Sequence, residues 1–351
     1  MTSMLYDYYA AITERMKSRI EKYHMDLRKL EDAVKNAVWS QRSGIRQQIR
    51  KDKENLQNEM RRQRDNPMQL VVSGMLDEVS VWFQGGSMPR KEDAREIYLA
   101  LVRKETLGFP AELTFEPNFF DLPCPRWTGV EIHFTLQTPW YSKDDRAFHV
   151  LDNPVRKDRV FGVPYMSAAS WKGLLRWAFR MTAGLIGPER EADEERRKIA
   201  RSMDLHLFGN EKGAQKELRQ GALAFYPTWF DKVGFELINP HSRARRAGTQ
   251  PIYYEVVPAG TPGILRFLYA PLPGAVERDH VKPAQVIDCL LEAVKVLLTI
   301  YGISAKRTVG WGTAAITQWQ AYKKGQQPIS KQTRADFWSA VQIWLEADGN
   351  P

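Results

Sequence analysis

One run constrains this chain more than any other: Gly129 to Pro139, GVEIHFTLQTP. Val130, Ile132, Phe134 and Leu136 alternate with Glu131, His133, Thr135 and Gln137. A period of two puts the apolar set on one side of an extended chain. The run therefore predicts a half-buried strand, which needs a sheet and a covering layer. Pro139 ends it, because proline cannot donate to a ladder. His133 falls on the polar side, where a solvated histidine is expected rather than a metal ligand.

The stretch that follows, Leu151 to Arg180, concentrates the chemistry. Asp152, Asn153 and Pro154 make a turn, and on residue type alone Asp152 is an Asx-turn residue. Arg156, Lys157 and Arg159 come next, then a Gly162-Val163-Pro164 turn. Ser167 to Ser170 read as a capping region for a helix from about Ser170 to Ile186, which would bury Trp171, Leu174, Leu175, Ala178, Phe179 and Leu185. Lys172, Arg176 and Arg180 recur every four residues on another face, either as a solvated stripe or as a cationic one. Backbone amides at a helix start can hold a phosphate, and Lys172 adds a charge-assisted contact. A carboxylate, cations and a helix start this close together suit a long polyanion better than a small metabolite.

The chain has 351 residues, enough for two domains or one with a long extension. Met1 to about Arg64 lacks proline and has one glycine, Gly44; Ile20, Tyr23, Leu27, Leu30 and Val34 fall at helical steps. Up to Asn66 there are 15 Lys and Arg against 10 Asp and Glu, more than half of the net +9. Arg42, Arg46, Arg50, Lys53, Arg61, Arg62 and Arg64 give this segment a cationic face. It is either a solvated helix or an arm for RNA phosphates or a partner subunit. Asn66-Pro67 ends it. An apolar segment, a Gly85-Gly86 break and a helix from Pro89 to about Lys104 follow. Pro110, Pro117, Pro123 and Pro125 mark an irregular connector and a domain boundary. The basic balance points to nucleic acid or an anionic surface, the plain alternative being a soluble basic protein. Cys124 and Cys289 have neither metal nor disulfide spacing and fit a reducing cytoplasm. No apolar run approaches the roughly 18 residues of a membrane span, and the N-terminus does not read as a signal peptide.

Further along, Glu189 to Arg201 predicts an exposed helix, and Phe208-Gly209-Asn210 a stop. Ile238 to Gly248 is a turn with Arg243, Arg245 and Arg246, phosphate contacts or a plain basic loop. Ile252 to Val257 and Ile264 to Tyr269 predict a hairpin with a wide turn. Pro283 to Tyr301 predicts a helix. Lys306, Arg307 and Gly310-Trp311-Gly312 follow; the glycines admit close approach of a backbone, and Trp311 either stacks on a base or fills the core. Thr313 to Trp319 predicts the last strand, and about Lys331 to Leu345 a helix. The pattern is α+β, an elaborated β-α-β-β-α-β unit, with no aromatic stacking signature on its strands.

Gly162 to Arg176, GVPYMSAASWKGLLR, resembles the G-x-P-x-x-P-G-S-S-x-K-G-x-x-R signature of the RAMP superfamily of CRISPR-associated RNA-binding proteins, with Ser167-Ala168-Ala169-Ser170 in place of the usual Pro-Gly-Ser-Ser. Leu151 to Asp158 resembles the segment before that motif in the repeated backbone subunit of type III effector complexes. Leu207-Phe208-Gly209 with Gly221 to Phe225, then Thr249 to Tyr269, then Ala305 to Gly312 resemble further family patterns in the same order. The resemblance implies an RRM/ferredoxin-like RAMP core with insertions at 127–325, after an N-terminal helical extension at 1–126 and before a helical tail at 326–351. It implies guide RNA held by Arg156, Lys157, Arg159, Ser170, Lys172, Arg176, Arg243, Arg245, Arg246, Lys306, Arg307, Gly310, Trp311 and Gly312. Asp152 matches the aspartate that the family needs to cut target RNA, where a 2′-hydroxyl attacks the adjacent phosphate. A divalent metal, magnesium or manganese, would then sit on Asp152 with help from Asp144, Asp145, Asp158 or RNA phosphates. Implied partners are guide RNA, target RNA and other CRISPR effector subunits in the cytoplasm, with no membrane.

The alternative is a non-cleaving RAMP subunit that caps one end of such a complex. About 125 residues precede the first strand, and Ile238 to His241 resembles a motif of a terminal subunit in one type III branch. The N-terminal helices also resemble a small helical subunit fused to the core. A guide-processing endonuclease ranks below these, since the histidine nearest the glycine loop in sequence is His280.

Overall fold

The computed structural model describes residues 116–144, 149–158, 161–187, 193–210, 219–239, 241–242, 247–248 and 251–347. Upstream it describes Met25, Lys29, Asp32, Gly44, Gln47, Lys51, Arg95, Tyr98, Leu99 and Leu107. Nearly all of the expected N-terminal helices, with Arg159, Asp145, Arg243, Arg245 and Arg246, lie outside the described residues. Met25, Lys29, Asp32, Gly44, Gln47 and Lys51 are helical and exposed. Among the described residues no helix is long and apolar enough to cross a membrane.

The chain divides into two compact units: Met1–Glu105 with Asp145–Asp152 and Asp158–Gly162, and Thr106–Asp144 with Asn153–Lys157 and Val163–Pro351. In the first, Arg95, Tyr98 and Leu99 are helical, and the Tyr98 hydroxyl is 3.2 Å from His149 Nε2.

The second unit holds, in order, β1 (Thr128–Leu136), β2 (Tyr165–Met166), α1 (Ala168–Thr182), α2 (Glu194–Phe208), β3 (Leu223–Phe225), β4 (Thr228–Trp229), β5 (Gly234–Ile238), β6 (His241–Ser242), β7 (Ala247–Gly248), β8 (Ile252–Val256), β9 (Pro262–Tyr269), α3 (Ala275–Asp279), α4 (Pro283–Val296), β10 (Ala314–Lys323), β11 (Ile329–Lys331) and α5 (Arg334–Ala347). Five strands form one antiparallel sheet ordered β11-β10-β1-β9-β3. The strand read from GVEIHFTLQTP is its centre, with Ile132 between Trp319 and Leu265. β9 lies between β1 and β3, and β10 lies on the other side of β1. That is the interleaved order of a β-α-β-β-α-β unit.

Packing follows from periodicity. Val130, Ile132, Phe134 and Leu136 are each at most 1% exposed. α1 buries Trp171, Leu175, Ala178 and Phe179; α4 buries Val286, Ile287, Leu290, Leu291 and Val294, and the two helices pack together. Phe134 meets Trp171 edge-on at 6.2 Å. The buried Trp171 indole donates to Thr228 Oγ1 at 2.9 Å, and Thr228 donates on to the Ile264 carbonyl, so no polar atom of this pair is stranded. Leu174 and Leu185, expected in the core, are only half-buried.

Several expectations are corrected. The runs 252–257 and 264–269 do not form a hairpin. β8 pairs with β5, from Gly234↔Val256 to Ile238↔Ile252, while β9 enters the main sheet. β9 is buried on both faces from Leu265 to Tyr269, as a central strand must be, whereas β8 begins exposed and ends buried. The last strand runs on to Lys323 and gains β11 as a neighbour, because alternation continues through Gln320, Ala321 and Tyr322. The α1 helix begins two residues early, with the Ser167 hydroxyl accepting from the Ser170 amide. α2 starts at the Asp193 cap and reaches Phe208, further than the exposed charge run implied, because Met203, Leu207 and Phe208 are core. The polar side of β1 is not open. The proline-rich connector lays Phe119 and Leu122 across it, against Leu268 and Tyr322. Gly129 makes room: a Cβ there would lie 2.6 Å from Phe119 Cγ.

Beside Phe119 the same face carries an ion network. Arg266 bonds Glu131 and Glu116, each at 2.8 Å, and Tyr322 donates to Glu131 at 3.2 Å. Burial raises the Glu131 carboxyl, but the His133, Arg266 and Tyr322 hydrogen bonds and the Arg266 charge outweigh it and hold it below its ordinary value. Burial and the Glu131 charge push the Tyr322 hydroxyl up to about 12.

Candidate nucleic-acid interface

Three loops and a helix start converge in the second unit. The segments 140–143, 153–157 and 303–312 are stitched by backbone bonds: Arg156 donates to Ser142, and Ala305 donates to Tyr141. Trp140 Nε1 donates to the Ile303 carbonyl at 3.0 Å. β8 supplies the floor. Tyr254, Tyr141 and Trp311 meet edge to face, at 5.1 Å for Tyr141 with Tyr254 and 5.8 Å for Tyr254 with Trp311. Of the two uses open to Trp311, the half-buried ring is engaged in this aromatic cluster.

The cations expected along this surface do different jobs. Lys157 is 9% exposed and pairs with the fully buried Glu255, whose other oxygen accepts the Val155 amide at 3.0 Å. Lys157 is thus a core ion pair and not a surface cation. Arg156, between the two pinned positions, has no side-chain partner among the described residues, and neither does the exposed Lys143. The Lys172, Arg176 and Arg180 stripe also splits. Arg176 and Arg180 both reach Asp204 on α2, each through Nη2 at 2.8 Å, and Arg176 adds the Gly209 carbonyl at 2.9 Å. Lys172 alone of the three makes no ion pair among the described residues. Ser170 is tied to the cap, its hydroxyl 2.9 Å from that of Ser167. The Ala168 and Ala169 amides ahead of it have no acceptor among the described residues, as the first turn of a helix leaves them.

The glycine loop is fixed from within. Gly312 has φ +87°, and a Cβ there would strike Ser304, at 2.7 Å from its Cβ. Its glycine is demanded by this chain's own backbone and not by an approaching ligand. Gly310, at φ +83°, faces open space. Lys306 Nζ lies 4.6 Å from the Tyr254 ring centroid, and the Arg307 guanidinium 4.4 Å from that of Trp177 on α1. Cation–π contact fixes where the charges stand and leaves donors to solvent or a ligand. Arg307 over Trp177 also joins the loop to α1.

Asp152 belongs to the first unit. Its carboxylate is 64% exposed, 3.6 Å from Arg95 Nη2. Among the described residues no group of three or more His, Cys, Asp or Glu side chains could hold a metal ion. Asp152 offers one carboxylate beside the Arg95 guanidinium, and Asp145, a suggested helper, lies outside the described residues.

Asp204, Tyr254 and Trp177 were not singled out from sequence, and Glu255 only as part of the Thr249 to Tyr269 pattern. Glu255 carried a signal, being one acid inside the apolar run IYYEVV. Asp204 carried none.

The RAMP superfamily matches residues 133–315, more than half of the chain, and the chain belongs to it. No curated protein matches it. Two solved structures it is similar to are a chain of the Type III-B Cmr-beta bound to cognate target RNA, at 17% identity over 56% of this chain and 61% of that one, TM-score 0.38, and a chain of a CRISPR RNA-guided surveillance complex, at 18% identity over 57% and 71%, TM-score 0.38. This chain spans less than two thirds of the Cmr-beta chain's length.

Proposed function

We propose that this chain is an RNA-holding subunit of a type III CRISPR effector complex. It grips the sugar-phosphate backbone of guide RNA at the start of α1 and along the glycine loop. The observation that carries this is the set of donors without protein acceptors gathered there: the Ala168 and Ala169 amides and Lys172, none with a partner among the described residues. On the glycine loop, Lys306 and Arg307 are held over the Tyr254 and Trp177 rings, the second of which belongs to α1. Such donors match phosphates without reading bases. Guide RNA, target RNA and other effector subunits are its partners in this reading, in the cytoplasm. The direct test is affinity of the full chain for single-stranded RNA across a salt series. Binding that falls steeply with salt is the expected result, and no binding at low salt would remove the reading.

Asp152 carries the finer claim, cutting of the paired target. Its carboxylate is 64% exposed, which leaves it within reach of a ligand. One carboxylate supplies one metal ligand, so magnesium or manganese there would depend on RNA phosphates and water. In the complex reconstituted with guide and target, Asp152→Ala should abolish cutting at the positions this subunit serves and leave binding unchanged. Unaltered cutting would make this a non-cleaving, end-capping subunit.

A further inference from the structure

We propose that Arg307 and Trp177 form a stacking shelf for one unpaired nucleobase of the bound RNA; this rests on the RNA-holding reading above. The Arg307 guanidinium lies 4.4 Å from the Trp177 ring centroid. Trp177 is half-buried and is braced edge-on by Tyr301, 4.8 Å between centroids at 67°. Tyr301 stands at the end of a π-helical turn, Leu297–Tyr301, that extends α4. Such turns concentrate at functional sites.

Two observations point to a ligand. Arg307 Nη1 is buried and meets no hydrogen-bond acceptor among the described residues. A desolvated donor of this kind costs free energy unless an acceptor arrives. Gly173, one helical turn before Trp177, sits inside α1 without a positive φ, and a Cβ there would touch nothing among the described residues. Neither backbone geometry nor packing among the described residues calls for glycine, yet glycine weakens a helix interior. Gly310, three residues after Arg307, also faces open space. The Arg–Trp stack is thus flanked on two sides by backbone that carries no side chain.

A nucleobase fits this arrangement. Its π-face stacks on the outer side of the guanidinium, which the Trp177 ring backs from the other side. A phosphate alone would satisfy the charge and leave the aromatic ring and the bare helix unexplained. Ile300 and Val309 nearby in sequence are 67% and 62% exposed. They raise a protein partner as the competing occupant, which the experiment separates.

The probe is a fluorescently labelled single-stranded oligouridine, with a single abasic site walked along it, titrated against the full chain. Wild type should lose about tenfold in affinity when the abasic site reaches the shelf, the scale of one base–aromatic stack. Trp177→Ala should erase that dependence. Trp177→Phe should retain most of it, which guards against a folding artefact. Arg307→Lys should keep the salt dependence and lose the abasic effect. RNA bound equally well at every abasic position by wild type would overturn the shelf and leave the RNA-holding reading intact. No RNA binding at all would remove both. An abasic pattern unchanged by Trp177→Ala, with self-association of the chain lost on sedimentation, would assign the surface to a second copy instead and overturn the shelf.

Discussion

Replacing Glu255 with alanine is expected to destabilise the chain by about 3–5 kcal/mol, the usual consequence of leaving one member of a buried ion pair alone. Glu255 is fully buried and Lys157 is 9% exposed, so water cannot take over the lost contact. The Val155 amide loses its acceptor as well. Of the side-chain ties between the segment 153–157 and β8, the Asn153 amide to the Tyr253 carbonyl then remains. The pair Lys157→Met with Glu255→Gln should recover most of the loss. It removes both charges together and keeps an oxygen for Val155. Chemical denaturation of the full chain, with each single change and the double, checks this. A loss below about 1 kcal/mol for Glu255→Ala would be the behaviour of a solvated surface pair and would contradict the burial of this one.

Asp204→Ala is expected to destabilise by about 3 kcal/mol, since it strands two guanidinium groups that share one carboxylate. Asp204 is 8% exposed and takes hydrogen bonds from Arg176 and Arg180. The pair fastens α1 to α2, and Arg176 keeps the Gly209 carbonyl as a further acceptor. The functional consequence runs the other way. At temperatures where the variant stays folded, it should bind RNA at low salt at least as tightly as wild type, because two cations are released. Thermal unfolding and RNA titration on the same sample separate the two effects. Unchanged stability would mean that the stripe on α1 is solvated after all.

The parts of the fold that were legible in sequence were those governed by local periodicity. β1 declared itself by alternation, α1 by its serine cap and its 171, 175, 178 spacing, and α4 by Pro283 and its apolar stripe. Pairing was not legible. The runs at 252–257 and 264–269 are both β-rich and joined by a turn, yet nothing local says whether they pair with each other or with β5 and β1. The site divided in the same way. Lys172, Lys306 and Arg307 could be found as cations near a helix start and a glycine loop. Lys157 and Arg176 have the same local character, and only partners 98 and 28 residues away mark them as structural. Trp177 drew no attention in sequence, because its role depends on Arg307, 130 residues away, coming to rest over its ring. Gly312 was read as room for a ligand, and the room proves to be filled by Ser304.

The central claim is that this chain holds RNA through the α1 start, with Lys172 as a phosphate contact and Arg176 as a structural residue. The most direct measurement is the slope of log affinity against log salt for single-stranded RNA, compared between wild type, Lys172→Ala and Arg176→Ala. One phosphate contact on a single strand contributes about 0.7 to that slope. The account predicts a slope lowered by about that amount in Lys172→Ala, with its thermal midpoint unchanged. Arg176→Ala should keep the wild-type slope and lose stability. Equal slopes for wild type and Lys172→Ala, or a lowered slope in Arg176→Ala alone, would contradict it.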